Sequence, residues 1–459
     1  MRAVGLLGGA ALALLLASSS ARAQCRRPTD PGGVNGYSYE VPASHFDGQK
    51  VRVWYTTTGM HAVTPDSTRV DGVPDNVALA AEVGDMSLAG YAKMGFSPPV
   101  PDGTCGGGDS LLDIYLMHFN AADGDVATDN CSGAGNSTRC QVFAQVEAKL
   151  DVEYGSFLLG AHVVIAHELF HAVQDAYDAG MDRFWSEGGA QWGAKTLFPD
   201  ENDLENQLPA FFDNATRSID SPPGGPVAGY LYGAAIWPVF LTEHVGPDVV
   251  RASLEQEATL GPPSMDAIGA ALAAGGHSLG DEYATFAAWN AATGSRAGTG
   301  GYANAKSYPM VKSLSTLGAA GASGIVSGYS VFFYTFDVGA TPQQLAVDGD
   351  SKRLQARTFP LADGKARIDQ LSSLPAMVSG AGVVVVAGVS DKKSDAPFTL
   401  HLAPPVSPDM GVAPDLAEPS MDVAGGGGGC SLGGTPASPL AALALLAALA
   451  LAARSARRR

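Results

Sequence analysis

Charge is scarce in this chain. Asp, Glu, Lys and Arg make up 16 % of its 459 residues, and 46 acidic residues outnumber 28 basic ones, giving a net charge of −18. Apart from the last six residues it holds no basic cluster, which argues against nucleic acid and anionic membrane surfaces as partners. Its 5 cysteines include no C-x-x-C pair, so disulfides are expected in preference to a thiolate metal site. No apolar run reaches the ~20 residues of a comfortable membrane span, and no internal repeat is visible. What is present is a 46 % hydrophobic chain with 57 glycines and 29 prolines. That is enough for a real core cut by many turns, and the length predicts two or three domains. The acidic balance suits an exported protein and hard cations such as calcium.

Both ends read as processing signals. Residues 1–23 combine Arg2, an apolar run over 4–17 and the small-x-small site Ala21-Arg22-Ala23, which predicts a secretory signal peptide removed before Gln24. Residues 405–429 are Pro-, Asp- and Gly-rich and predict a linker. Residues 430–459 carry Cys430, an apolar run over 439–453, then Arg454, Arg457, Arg458 and Arg459. This tail resembles the C-terminal sorting tails of myxobacterial surface proteins. The resemblance implies transient membrane association, processing near Cys430, and display on the cell surface or release from it. Cys25, Cys105, Cys131 and Cys140 allow three pairings, which spacing alone leaves open. The short loop between Cys131 and Cys140 favours that pair, leaving Cys25 with Cys105.

Between the signals two textures alternate. Residues 50–57, 110–119 and 141–148 read as strands, and 75–94 as a helix ending at Gly95. The loop between the second and third strands is rich in Asp and Gly. From 161 to about 292 the spacing is helical. From about 311 to 404, short apolar or alternating runs separated by turns predict a β-sandwich. The expected organisation is therefore an α+β catalytic domain over 24–300, with a small N-terminal sheet and a mainly helical C-terminal lobe. An all-β sandwich module over 305–404 follows it.

The chemistry concentrates in VVIAHELFHAVQDAYDAGMDRFWSEGGAQW, residues 163–192. On a helix His167 and His171 lie one turn apart on one face, where both imidazoles can bind one cation. Glu168 lies about 100° round from His167, poorly placed as a ligand but suited to take a proton from water activated at the cation. Glu187 opens a second helical stretch and is the candidate third ligand. Two histidines and a glutamate form a catalytic zinc set with an open fourth position, whereas a structural site closes with a fourth protein ligand, typically cysteine. The metzincin pattern fails, because Gln174 occupies its glycine position and Tyr177 its third-histidine position.

HELFH followed by FWSEGGAQW resembles the gluzincin metallopeptidases, in which H-E-x-x-H precedes a glutamate ligand. The resemblance implies a zincin-like fold, His167, His171 and Glu187 as zinc ligands, and Glu168 as general base. The connection from His171 to Glu187 is shorter than in the thermolysin and M1 aminopeptidase groups, which implies a tighter link between the two helices. Tyr230-Leu231-Tyr232-Gly233 looks like the Y-x-x-G helix start of M1-like enzymes, which implies Tyr230, with Tyr232 as the alternative, as donor to the oxyanion. No G-x-M-E-N segment is found, which points to endopeptidase action on protein or peptide substrates, with 141–148 as an edge strand for extended substrate. The segments at 70–75, 91–96, 113–116 and 286–290 resemble secreted bacterial proteins inferred to be metalloproteases. No large inhibitory propeptide is expected.

Two lesser features complete the reading. Asp66, Asp71 and Asp75 resemble a calcium-binding turn, and Gln191, one turn beyond Glu187, is placed to orient a ligand. Two function classes follow. One is an exported zinc endopeptidase; the other is a surface adhesion or binding protein that keeps the metal as a structural element. Glu168 favours the first, since a structural zinc has no use for it.

Overall fold

Val51, Val53 and Tyr55 are buried while Arg52 and Trp54 alternate outward, the period of a strand with one face on a core. This strand, β2 (Val51–Tyr55), pairs antiparallel with β1 (Ser44–Asp47) and parallel with β3 (Leu112–Met117). β3 is buried throughout because it sits mid-sheet in the order β1-β2-β3-β5-β4. The outer pair, β4 (Gly124–Ala134) and β5 (Ser137–Glu147), is antiparallel, and Cys131 faces Cys140 across it. These two cysteines form one disulfide and Cys25–Cys105 the other, as the short loop suggested. The computed structural model describes residues 25–404 except 104, 107–108, 225–226 and 391–394. The expected signal peptide, linker and sorting tail lie outside the described residues.

The edge strand differs from expectation. Residues 141–147 fall within β5, which is flanked by β3 and β4, and Ala148 lies just past its end; the edge is β4. Its sequence, GDVATDNCSGA, is too polar and glycine-rich to read as a strand. Pairing with β5 and the cross-strand disulfide hold it in place of apolar burial.

Helix α1 (Asp75–Lys93) ends before Gly95, whose φ is +87°. After the single turn of α2 (Leu150–Tyr154) comes α3 (Phe157–Gln174), capped by Ser156, whose hydroxyl accepts from the Leu159 amide at 3.1 Å. α3 packs on β4, β5, α1 and α4 (Arg183–Leu197). It is long and apolar enough for a membrane span, yet most of it is buried as a core helix. Tyr91 of α1 donates its hydroxyl to the Ala166 carbonyl at 2.8 Å, pinning the backbone one residue before His167. The helical lobe continues through α5 (Asp203–Phe212), α6 (Ala228–Gly233), α7 (Ile236–Phe240), α8 (Val249–Leu260), α9 (Ser264–Ala274) and α10 (Leu279–Ala291).

The strands that follow are β6 (Leu314–Thr316), β7 (Ala322–Ser327), β8 (Val331–Asp337), β9 (Gln343–Gly349), β10 (Leu354–Ala362), β11 (Lys365–Ala366), β12 (Ser372–Ser373), β13 (Ala376–Val378), β14 (Ala381–Gly388) and β15 (Asp395–Ala403). One sheet runs β11-β10-β14-β8-β6, with β12 beside β10; the other runs β13-β9-β15-β7. Tyr334, Val384 and Val386 of the first sheet share a core with Leu345, Phe398 and Leu400 of the second, as a sandwich requires. The opposite face of the first sheet is buried too. Phe333, Phe359, Val383 and Val385 belong to the same core as Tyr283 and Phe286 of α10. The unbroken run Val383–Val386 is thereby explained, since β14 is covered on both faces. Helices and several sheets thus form a mixed α+β layout, and residues 25–404 lie within one compact unit.

Candidate metal centre

α3 and α4 bring three ligand atoms together. Nε2 of His167 and Nε2 of His171 are 3.1 Å apart, and Oε2 of Glu187 lies 3.5 Å and 3.4 Å from them. Zinc bonds of ~2.0–2.1 Å in a tetrahedron set its ligand atoms about 3.3 Å apart, so these three atoms have the spacing of one face of a zinc site. Two imidazoles and one carboxylate are also the donor set of a catalytic zinc with a fourth position left for substrate. The residues fit the metal. Among the described residues this is the one His/Cys/Asp/Glu group with ligand geometry.

Gln174 holds the set in place. Its amide nitrogen donates to the Ser186 carbonyl at 2.9 Å, so its oxygen must face His171, where it accepts from Nδ1 at 2.8 Å. That bond fixes the His171 tautomer and leaves Nε2 free to act as a ligand. The same side chain bridges the end of α3 to the start of α4. The packing of α4 also uses Gly188 and Gly189. A Cβ on Gly188 would sit 3.0 Å from the Ala234 backbone, and one on Gly189 would sit 2.7 Å from Gln174 Nε2. Gly188 thus lets α4 pass close to the Ala234 backbone, and Gly189 leaves room for the Gln174 amide between α3 and α4.

The electrostatics of the metal-free centre follow from burial and proximity. Burial lowers His167, whereas on His171 the Glu187 and Glu168 carboxylates overcome burial and push it up to about 9. Burial acts to raise Glu187, but the two imidazoles outweigh it and hold that carboxyl well below its usual range. Glu168 is pushed up to about 8 by burial, helped by Glu187 and Asp125 and opposed by His171. The two glutamates thus behave oppositely: Glu187 is a permanent anion facing the ligands, and Glu168 is a carboxyl able to gain and lose a proton near neutral pH.

Glu168 lines a cleft. One cavity of about 600 Å³ is bounded by His167, Glu168, Tyr232, Asp123 and Asp203. A second of about 300 Å³ contains all three ligand residues with Asp125 and Thr128 of β4, and a third of about 620 Å³ adjoins the first at Ala121, Ala122, Asp123 and Glu153. The first and second share Gly124, His167, Glu168 and Tyr232, so the three cavities adjoin one another beside the centre and together form its groove. Gly124 lines it where a Cβ would come within 2.5 Å of Glu168 Oε1, so glycine there keeps the carboxylate clear.

Five expected residues fall elsewhere. Tyr230 stacks on Phe211, and its hydroxyl donates toward the carbonyls of Ser218 and Ile219 at 3.3 and 3.4 Å, away from the cleft. Tyr232 faces the centre, with its ring edge-on to His167 at 5.4 Å and its hydroxyl pushed further toward the protonated form by burial and by Glu187. Two residues along a short helix turn a side chain about 200°, which separates inward from outward, and the motif could not distinguish them. Gln191 donates to Asp203 at 2.6 Å rather than to a ligand, and the orienting glutamine is Gln174. Its signal was its place one turn after His171. Asp66, Asp71 and Asp75 do not converge on a cation. Arg69 pairs with Asp71 at 2.6 Å, the Thr68 amide donates to Asp75 at 3.0 Å, and Asp66 contributes its carbonyl to the Asp75 amide at 3.0 Å. An arginine and backbone groups close that turn.

No family model and no curated protein matches this chain. It is similar to the solved structure of the Salmonella Typhimurium periplasmic inhibitor of g-type lysozyme, PliG, over 19 % of this chain and 97 % of that one, at 14 % identity and a TM-score of 0.15. For the Aeromonas hydrophila inhibitor the values are 20 %, 96 %, 17 % and 0.15, and for a mutant of the Escherichia coli one 19 %, 96 %, 14 % and 0.14. At those TM-scores the likeness carries no argument about this chain. The two disulfides fit an exported protein.

Proposed function

We propose that the protein is an exported zinc endopeptidase of the gluzincin type with a zincin-like catalytic domain, acting outside the cell or at its surface. The observation that carries this reading is the convergence of His167 Nε2, His171 Nε2 and Glu187 Oε2 beside a free, buried Glu168. Glu168 makes no hydrogen bond to a described residue and lines the groove, as a group awaiting water or substrate would.

Held by these three residues, zinc would supply a Lewis acid that polarises a peptide carbonyl and acidifies water. The chain's own groups supply the rest. Glu168 accepts the proton of the attacking water and returns it to the leaving nitrogen, work suited to a carboxyl raised toward neutral pH. The Tyr232 hydroxyl, kept protonated, donates to the negative charge developing on the carbonyl oxygen. β4 offers its free edge to an extended peptide, and a groove continuing past the centre on both sides accommodates an internal bond rather than a chain end.

The test is the pair Glu168→Gln and His167→Ala. The first should keep stoichiometric zinc and lose casein hydrolysis by about 10³-fold or more, and the second should lose both. Unchanged hydrolysis by Glu168→Gln would sink the mechanism. Zinc-loaded wild type that cleaves nothing in a broad protein panel would leave a metal-stabilised surface binding protein.

A further inference from the structure

The cavity that meets Glu168 has a one-signed wall. Asp123, Glu153, Glu201 and Asp203 line it, and among the described residues no lysine or arginine does. Glu201 is matched by His162 at 2.9 Å. The other three have neutral donors or none. Asp123 accepts from the Tyr154 hydroxyl at 2.8 Å and Asp203 from the Gln191 amide at 2.6 Å, while Glu153 is raised chiefly by the negative charge of Asp123. The nearby Lys195 is committed to Glu205 at 2.9 Å and to the Glu201 carbonyl at 2.6 Å. Leu159, Val163 and Val164 line the same cavity and give it an apolar floor. Separately from these acids, Glu168 is 7 % exposed, has no hydrogen-bond partner among the described residues, and faces the same space. A cavity with a desolvated, unpartnered carboxylate at one end is built to receive a polar ligand.

Resting on the endopeptidase reading above, we propose that this cavity selects peptide substrates with a lysine or arginine side chain beside the bond presented to Glu168. The methylene stem would lie on Leu159, Val163 and Val164 and the cationic head among Asp123, Glu153 and Asp203, the division of labour that long basic side chains favour. A carboxylate wall in a walled groove focuses its field on such a head and disfavours acidic side chains. A divalent ion is a poorer occupant, because these acids do not converge to ligand distance as the histidine centre does. A free α-amine would present the same charge, but the groove runs on beyond the cavity toward Met60 and Val152, so the chain passes through rather than ends there.

Binding without turnover tests this. In zinc-loaded Glu168→Gln protein, acetylated and amidated peptides differing only in one central lysine, arginine, norleucine or glutamate are compared by fluorescence anisotropy. Lysine and arginine should bind roughly tenfold tighter than norleucine, and glutamate weakest. The gap should shrink in 1 M salt and fall to about twofold on adding Asp203→Asn and Glu153→Gln. Because Gln191 leans on Asp203, the exposed Glu153→Gln alone serves as a second variant that leaves the fold unstressed and should narrow the gap part-way. Equal binding of lysine and norleucine, or a gap untouched by either variant, overturns the proposal. So does rescue of the norleucine peptide by removing its acetyl group, which would mean that a chain terminus is the cation recognised. Hydrolysis by wild type without the preference removes only this inference. A preference in binding without any hydrolysis by wild type removes the peptidase reading and leaves a cation-selective peptide groove.

Discussion

Gln174 Oε1 accepts a hydrogen bond from His171 Nδ1 at 2.8 Å, while the other end of the same amide donates to the Ser186 carbonyl, one residue before the third ligand. One side chain therefore orients one candidate ligand and ties together the two helices that carry the candidate set.

Replacing Gln174 by alanine should weaken zinc binding by about 10–100-fold, the usual effect of losing a partner that orients a ligand. It should also lower stability by about 1 kcal/mol, because the His171 N–H and the Ser186 carbonyl each lose one hydrogen bond, the former keeping the Ser186 hydroxyl at 3.3 Å. Competition with a chromophoric chelator and thermal unfolding of the metal-free protein read the two effects separately.

Zinc affinity should rise with pH and level off near pH 9. His171 is pushed up to about 9 in the metal-free centre, so below that value an incoming cation must displace its proton. Affinity is therefore lost as pH falls, by up to tenfold per unit. Calorimetry in buffers of different ionisation enthalpy at pH 7 should show about one proton released per zinc bound; release of none would contradict the assignment.

The two tyrosines should separate cleanly. Tyr232→Phe, at the centre, should lower kcat about 10²-fold with zinc content and KM little changed. Tyr230→Phe, whose hydroxyl faces the Ser218 and Ile219 carbonyls, should keep kcat and cost only about 1 kcal/mol of stability. Steady-state kinetics on a fluorogenic peptide and thermal midpoints distinguish them.

Glu257 carries a stability prediction away from the centre. It is fully buried, accepts from the Ser264 hydroxyl at 2.9 Å, and burial pushes it up to about 7. In the unfolded chain it ionises near 4.5, so between about pH 4.5 and 7 the unfolded state binds fewer protons than the folded one. Stability from this group is therefore lost as pH rises through that window and then levels off. Glu257→Gln should flatten the slope and, at pH 8, raise stability by roughly 1–3 kcal/mol, with no gain at pH 4. Chemical denaturation across the window checks it.

The parts of the centre legible in the sequence are those where local spacing dictates geometry. Residues four apart on a helix must share a face, so His167 and His171 could be paired from the helical run that carries them; Glu187 was legible as a nearby acid, but it lies within α4, which starts at Arg183 and not at Glu187 as the spacing suggested. Disulfide pairing was similarly local for Cys131 and Cys140, which face each other across one hairpin. β14 was legible as a strand, but nothing in a run of four valines says that one face meets helices and the other a second sheet.

By itself, then, the sequence marked out the helices, most strands, the favoured Cys131–Cys140 pair and three candidate ligand residues, because each rests on spacing along the chain. Tertiary structure decided which glutamine orients His171, which of two tyrosines faces the groove, and that a polar segment, β4, forms the edge beside it. It also decided that the carboxylates of Asp71 and Asp75 are engaged by Arg69 and by groups of their own turn, while Asp66 contributes its backbone carbonyl. Those outcomes depend on what stands opposite each side chain. They are set by packing and hydrogen bonding between segments far apart in sequence, and no period along the chain encodes them.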